Sequence, residues 1–132
     1  MSKQSNIEWT DATWNILGGC TEVSEGCENC YARGMSYRLA ANPKAPARYR
    51  GVTERINGEV LWTGKVNLDW EAVKDPLRWT KPRRIFVQSM GDLFHPQVPF
   101  SFIDQVWGTM MQAEQHTFLV LTKRPERMRC WI

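Results

Sequence analysis

The chain has 132 residues, 42% of them hydrophobic and 23% charged, and a formal net charge of +3. That length suits one domain, 1–132, and the apolar share is enough for a buried core, which excludes a disordered chain. A surplus of three positive charges falls short of a protein that binds through many phosphate contacts, so nucleic acid is not the favoured partner. No apolar run approaches the ~18 residues of a membrane helix. Residues 1–6 are polar and no apolar stretch follows, which predicts no secretory signal and a reducing cytoplasm, where clustered cysteines serve metals or catalysis more often than disulfides.

In chain order, β-branched and aromatic residues predict a short strand over 13–17, ended by Gly18 and Gly19. A cysteine-rich loop leads into a helix over 29–41, with Tyr31, Met35 and Leu39 as its apolar face and Asn42-Pro43 as its stop. Residues 42–68 are irregular and basic. Asn57-Gly58 between Thr53–Ile56 and Glu59–Trp62 predicts a type I′ hairpin, because both turn positions require positive φ. Asp69 caps a short helix over 70–74, stopped at Asp75-Pro76. Residues 85–88 form a buried strand. Ser101 caps the next helix, which presents Phe102, Ile103, Val106, Met110 and Met111 to the core and runs to about residue 115. Residues 117–121 form a second strand of similar length. Residues 122–125 turn the chain, and 126–132 begin a last helix. The alternation predicts an α/β fold of about three parallel strands with flanking helices and an inserted hairpin. The strand-end loops 18–30, 89–95 and 122–125 gather at one edge of the sheet, the usual place for a ligand.

Three of the four cysteines, Cys20, Cys27 and Cys30, fall within eleven residues as Cys-x6-Cys-x2-Cys. Thr21, Glu22, Ser24, Glu25, Glu28 and Asn29 give that loop no apolar burial, so packing does not account for three thiols. Thiolates bind soft metals, and three suit a [4Fe–4S] cluster with one open iron. Structural zinc wants a fourth protein ligand. Cys130, His95 and His116 are the candidates, none at zinc-ribbon spacing, so spacing favours the cluster over the zinc module.

Four motifs carry a resemblance: Ile7 through Asn15, the Gly19-Cys20 to Tyr31-Ala32 loop, Ser89-Met90-Gly91-Asp92-Leu93-Phe94-His95, and Leu121-Thr122-Lys123-Arg124-Pro125-Glu126-Arg127. In this order they resemble a phage- and prophage-associated family of radical S-adenosylmethionine-like proteins. The resemblance implies that Cys20, Cys27 and Cys30 hold a [4Fe–4S] cluster and that S-adenosylmethionine chelates the open iron. Ser89, Met90, Gly91 and Asp92 would contact the methionyl end of that cofactor, and its reductive cleavage would give a 5′-deoxyadenosyl radical. The loop differs from the common Cys-x3-Cys-x2-Cys form in its wider first gap, with Asn29 before Cys30 and the aromatic Tyr31 after it. The resemblance further implies a truncated, half-length partial (β/α) barrel. Its open strand edge would require a second copy, a host protein or the inserted hairpin as cover.

Asp92 can orient a cofactor amine or cap its own loop, and His95 is read first as a satisfied loop histidine. Lys123 and Arg124 can bind an anion, or join Arg48, Arg50, Arg83 and Arg84 in a basic groove. The alternative to an enzyme is a non-catalytic, phage-derived binding protein that inhibits a host complex, of the defence, anti-CRISPR or nucleic-acid-processing kind, in the bacterial cytoplasm.

Overall fold

The computed structural model describes residues 10–22, 27 and 30–132. In chain order the strands and α-helices are β1 (Ala12–Trp14), β2 (Leu17–Gly18), α1 (Tyr31–Ala41), β3 (Thr53–Ile56), β4 (Glu59–Trp62), β5 (Asn67–Leu68), β6 (Arg84–Val87), α2 (Phe100–Gln112), β7 (Thr117–Val120) and α3 (Pro125–Trp131). Two 3₁₀ segments add to these: Ala47–Tyr49 between α1 and β3, and Ala72–Arg78 between β5 and β6.

The central sheet has the order β1-β6-β7, and both pairings are parallel. Ala12 lies opposite Ile85 and Trp14 opposite Val87; Ile85 in turn lies opposite Phe118 and Val87 opposite Val120. Strand side chains alternate between faces. Ala12, Trp14, Ile85 and Val87 are buried and share the main core with Phe102, Ile103 and Val106 of α2. The larger of these, such as Ile85, Val87, Phe102 and Ile103, contribute about 1.5–3 kcal/mol each when fully buried, against about 1 kcal/mol for one ladder hydrogen bond. Packing of α2 therefore secures strands only three or four residues long. Phe86 faces the other way, toward the cavity described below.

The first predicted strand, 13–17, is two elements. β1 leaves the parallel ladder after Trp14, and β2 pairs antiparallel with β5, Leu17 opposite Leu68. Gln88 causes the break. It follows β6 with φ 63°, rare for a residue with a Cβ. Its Oε1 accepts from the backbone N–H groups of Ile16 (2.8 Å) and Leu17 (3.1 Å), and its Nε2 donates to the Leu17 carbonyl (2.8 Å). One buried side chain thus takes the place of a strand partner for residues 16 and 17.

Other boundaries moved for local reasons. The hairpin forms as predicted, with Ile56 opposite Glu59 and positive φ at Asn57 (52°) and Gly58 (79°). Asp69 does cap, accepting from Ala72 N at 3.1 Å. The segment nevertheless continues through Pro76 to Arg78 instead of stopping at Asp75-Pro76, because its 3₁₀ turns lose only one bond to the missing N–H. α2 starts at Phe100, not after Ser101: the Pro99 carbonyl accepts from Phe102 N and Ile103 N, leaving Ser101 exposed in the first turn. In α1 the buried positions are Ala32 and Ser36, with Met35 and Leu39 packed partly behind them, while Tyr31 is exposed. Met111 is exposed too, so the core face of α2 ends at Met110.

Substituting Gln88→Ala leaves two buried N–H groups and a carbonyl without partners. It should lower the unfolding free energy by about 2–4 kcal/mol in a denaturant melt. A change below about 0.5 kcal/mol would show that the side chain does not hold the β1–β2 break.

Candidate functional site

The site begins with three glycines. A Cβ on Gly18 would stand 2.1 Å from the Arg48 carbonyl oxygen, and one on Gly19 2.2 Å from that of Lys65. Gly19 also has φ 101°. Gly91 forms a parallel bridge with Gly19, and a Cβ there would stand 2.9 Å from the Gly19 carbonyl oxygen. Backbones approach here more closely than any side chain allows. The result sets the start of the cysteine loop directly against the 89–92 turn at the end of β6.

Cys20, Cys27 and Cys30 all line one cavity of about 220 Å³. Ser89, Gly91, Asp92, Thr122, Lys123 and Arg124 line it as well, from the turns that follow β6 and β7. The three strand-end loops therefore do gather at one edge of the sheet. Trp62, Phe86 and Leu121 supply apolar wall. Residues 23–26, 28 and 29 of the loop lie outside the described residues, and with them the predicted helix start at 29.

Asp92 is the most connected group at this edge. Thr122 Oγ1 donates to its carboxylate (2.8 and 2.9 Å), as do Lys123 N (3.0 Å), Phe94 N (2.9 Å) and the Arg124 guanidinium (3.1 Å). With Arg124 it forms an ion pair in which both side chains are largely buried. Those contacts occupy both carboxylate oxygens, so the loop-closing reading of Asp92 is the one its geometry supports. Ser89 is fixed by Asn15, whose Oδ1 accepts from Ser89 N (2.8 Å) and Oγ (3.1 Å). Met90 turns away and packs with Ala32 and Tyr49 in a second small core. Ser89, Gly91 and Asp92 thus reach the cavity, and Met90 does not line it.

Two cations from the turn after β7 face the sulfurs. Lys123 Nζ lies 3.4 Å from Cys27 Sγ, and Arg124 Nη1 lies 3.9 Å from Cys20 Sγ. Arg124 Nη2 also donates to the Thr21 carbonyl at 3.0 Å. Burial pushes the Cys20 thiol up, and the Arg124 charge and hydrogen bond only partly offset this. A thiol poised in this way gains most from a ligand that replaces its proton.

None of the fourth-ligand candidates lines the cavity. His95 Nδ1 accepts from Gln97 N at 3.1 Å, which places the proton on Nε2, 2.6 Å from Thr21 Oγ1. His116 Nδ1 accepts from Arg83 N at 3.2 Å, and its Nε2 donates to the Pro76 carbonyl at 3.0 Å. Cys130 is exposed on α3 and does not line the cavity. Among the described residues no three His, Cys, Asp or Glu side chains make a group that could hold a metal ion. Cys20, Cys27 and Cys30 nevertheless line the same cavity.

Arg48, Arg83 and Arg84, weighed with Lys123 and Arg124 as parts of a basic groove, lie away from the cavity. Arg48 is buried and paired with Asp69 at 2.7 Å. Arg84 pairs with Asp11, and Arg83 stacks near Trp79; both lie at the start of β6, the far end from the cavity. A larger depression of about 610 Å³ between Arg48 and Arg78 is an open surface of matched charges, Arg48–Asp69 and Arg78–Asp75. Trp62 and Gln88 were not singled out by the sequence. For Trp62 the signal was there, since a hairpin placed after the cysteine helix can fold back onto it. For Gln88 there was none, because its left-handed backbone leaves no mark on the pattern.

Fold and site together define a small α/β protein with a three-thiol cavity at the C-terminal edge of a parallel sheet. The chain belongs to the DUF5131 family, described as proteins of unknown function, whose model matches residues 4–132. No curated protein and no solved structure matches the chain.

His95 is 2% exposed. Burial holds its pKa below the usual 6.5, helped by Arg124 and opposed by Asp92. The unfolded chain then binds the extra proton more readily. The stability due to neutral His95 is present above pH 6.5 and is lost as the pH falls from there toward the lower folded value. Melting temperatures of wild type and His95→Gln across pH 5–8 should show a smaller acid loss in the variant; parallel curves would remove His95 from the acid response.

Proposed function

We propose that this chain is a radical S-adenosylmethionine-type iron–sulfur protein, with Cys20, Cys27 and Cys30 as the ligands of a [4Fe–4S] cluster. One observation carries the reading: all three thiols share one cavity with the turns that follow two adjacent parallel strands. When bound, the cluster and S-adenosylmethionine would supply one-electron chemistry that no side chain provides.

The chain's own residues have three tasks in this reading. The Gly19–Gly91 approach and the Asp92 contacts hold the thiol loop against the sheet edge. Gly91 would present backbone to the cofactor's amino-acid end, while Ser89, whose N–H is committed to Asn15, and Asp92 act through the loop they hold. Trp62, Phe86 and Leu121 offer an apolar side on which a nucleoside ring can rest. A cavity of about 220 Å³ is smaller than the ~300–1,000 Å³ of drug-sized ligand sites. A cofactor larger than the cavity would leave part of itself outside it, where the exposed Leu121 offers apolar surface.

The same reading makes the sheet part of a partial (β/α) barrel. It also assigns the outer edge of β7 to a strand or partner: β7 is an edge strand with Phe118, Leu119 and Val120 half-buried, and Leu121 beyond it is 59% exposed. That edge is the one feature favouring the second reading, a non-catalytic protein that docks on a host complex.

Anaerobic reconstitution separates the two. The radical-protein reading predicts about four irons and about four sulfides per chain, and S-adenosylmethionine binding that weakens at least roughly tenfold in Trp62→Ala. Folded Cys20→Ser, Cys27→Ser or Cys30→Ser protein should retain little iron. Wild-type protein that folds yet takes up neither iron nor sulfide would refute it and leave the docking protein.

A further inference from the structure

We infer that Lys123 is the positioning cation that raises the reduction potential of the thiolate-held group. This rests on the reading that Cys20, Cys27 and Cys30 hold an iron–sulfur cluster.

Lys123 and Arg124 come from one turn but carry different electrostatic loads. Arg124 points at Cys20 across 3.9 Å, but its charge is largely neutralised by the Asp92 carboxylate at 3.1 Å. Lys123 gives Asp92 only its backbone N–H, at 3.0 Å. Its ammonium lies 3.4 Å from Cys27 Sγ, and among the described residues it has no carboxylate partner. Cys27 is itself buried, 7% exposed. The turn that carries Lys123 is fixed at residues 122 to 124 by Asp92, so the backbone end of this contact is rigid. Among the described residues, the geometry thus sets beside the buried Cys27 sulfur a positive charge that no carboxylate pairs.

The sign of the effect follows from charge. Reduction moves one electron from a low-potential one-electron donor to the [4Fe–4S] core, taking it from 2+ to 1+ with no proton transferred. A fixed cation beside a ligand sulfur stabilises the more negative reduced form more than the oxidised one, so it raises the potential. Hydrogen bonding from the ammonium to the sulfur acts in the same direction. Lys123 is exposed along its length, so solvent and salt screen part of the effect.

Lys123→Met removes the charge at similar length, and Lys123→Arg keeps it. The test is the midpoint potential of each protein after anaerobic reconstitution, followed by electron paramagnetic resonance during a dye-mediated reductive titration. Iron, sulfide and circular dichroism are measured alongside. The expected result is wild-type cluster content in all three, a more negative midpoint in K123M, a midpoint near wild type in K123R, and a smaller K123M difference at high salt. A folded K123M that loses iron while K123R keeps it overturns the inference, because the charge then serves to retain the cluster and not to set its potential. A full cluster in K123M with an unchanged midpoint overturns the inference and leaves the cluster reading standing. A folded wild-type protein without iron or sulfide overturns both.

Discussion

The carboxylate of Asp92 is the constraint on which this molecule depends. It stands at the end of the turn after β6 and draws in the turn after β7 through Thr122, Lys123 and Arg124. Burying a carboxylate is costly unless donors surround it, and here hydroxyl, backbone and guanidinium donors do so. Its ion pair also keeps Arg124 in place under the cysteine loop, where the guanidinium meets the Thr21 carbonyl and the Cys20 sulfur. Loss of the carboxylate would leave a largely buried guanidinium without its counter-charge. Two strand ends and the thiol loop would then lose their common anchor.

Around that anchor the cavity combines opposed requirements. Burial favours the protonated thiol at Cys20, whereas the neighbouring cations favour thiolate. Desolvation dominates for Cys20, so a group that displaces the proton and brings its own positive charge suits this site better than water does. The histidines are already committed to the fold. His95 ties the 95–97 turn to Thr21, and His116 ties the start of β6 to the 3₁₀ segment. Among the described residues, the cavity is lined by three sulfurs, two cations, several hydroxyl and amide groups and an apolar wall.

Much of the frame was legible in the sequence. Residues 85–88 and 117–121 show short apolar runs that suit strands, the first central and the second a half-buried edge, and the helix between them shows its core face at Phe102, Ile103 and Val106. Asn57-Gly58 marked its hairpin because positive φ at both turn positions admits few other pairs. The strand-end loops met at one edge because alternating β and α elements force parallel strands. Tertiary partners hid the rest. Gln88 splits the first strand through a side chain that reaches two residues far away in sequence. Pro99 fixes the start of α2 before Ser101 can cap it, and Pro76 sits inside a 3₁₀ run where an α-helix would have stopped. The direction of Met90, inward to Ala32 and Tyr49, follows from the backbone at Gly91, which no residue pattern records. Lys123 and Arg124 read as cations for a substrate anion, yet they face sulfur, because the Asp92 contacts turn that loop inward.

The central claim is that three thiolates of this cavity hold a cluster with one iron left for S-adenosylmethionine. Mössbauer spectroscopy of the anaerobically reconstituted protein, with and without that cofactor, tests it most directly. The account predicts a [4Fe–4S] spectrum in which one iron site alone changes when S-adenosylmethionine is added. A spectrum without cluster iron, or one in which the cofactor alters no site, would contradict it.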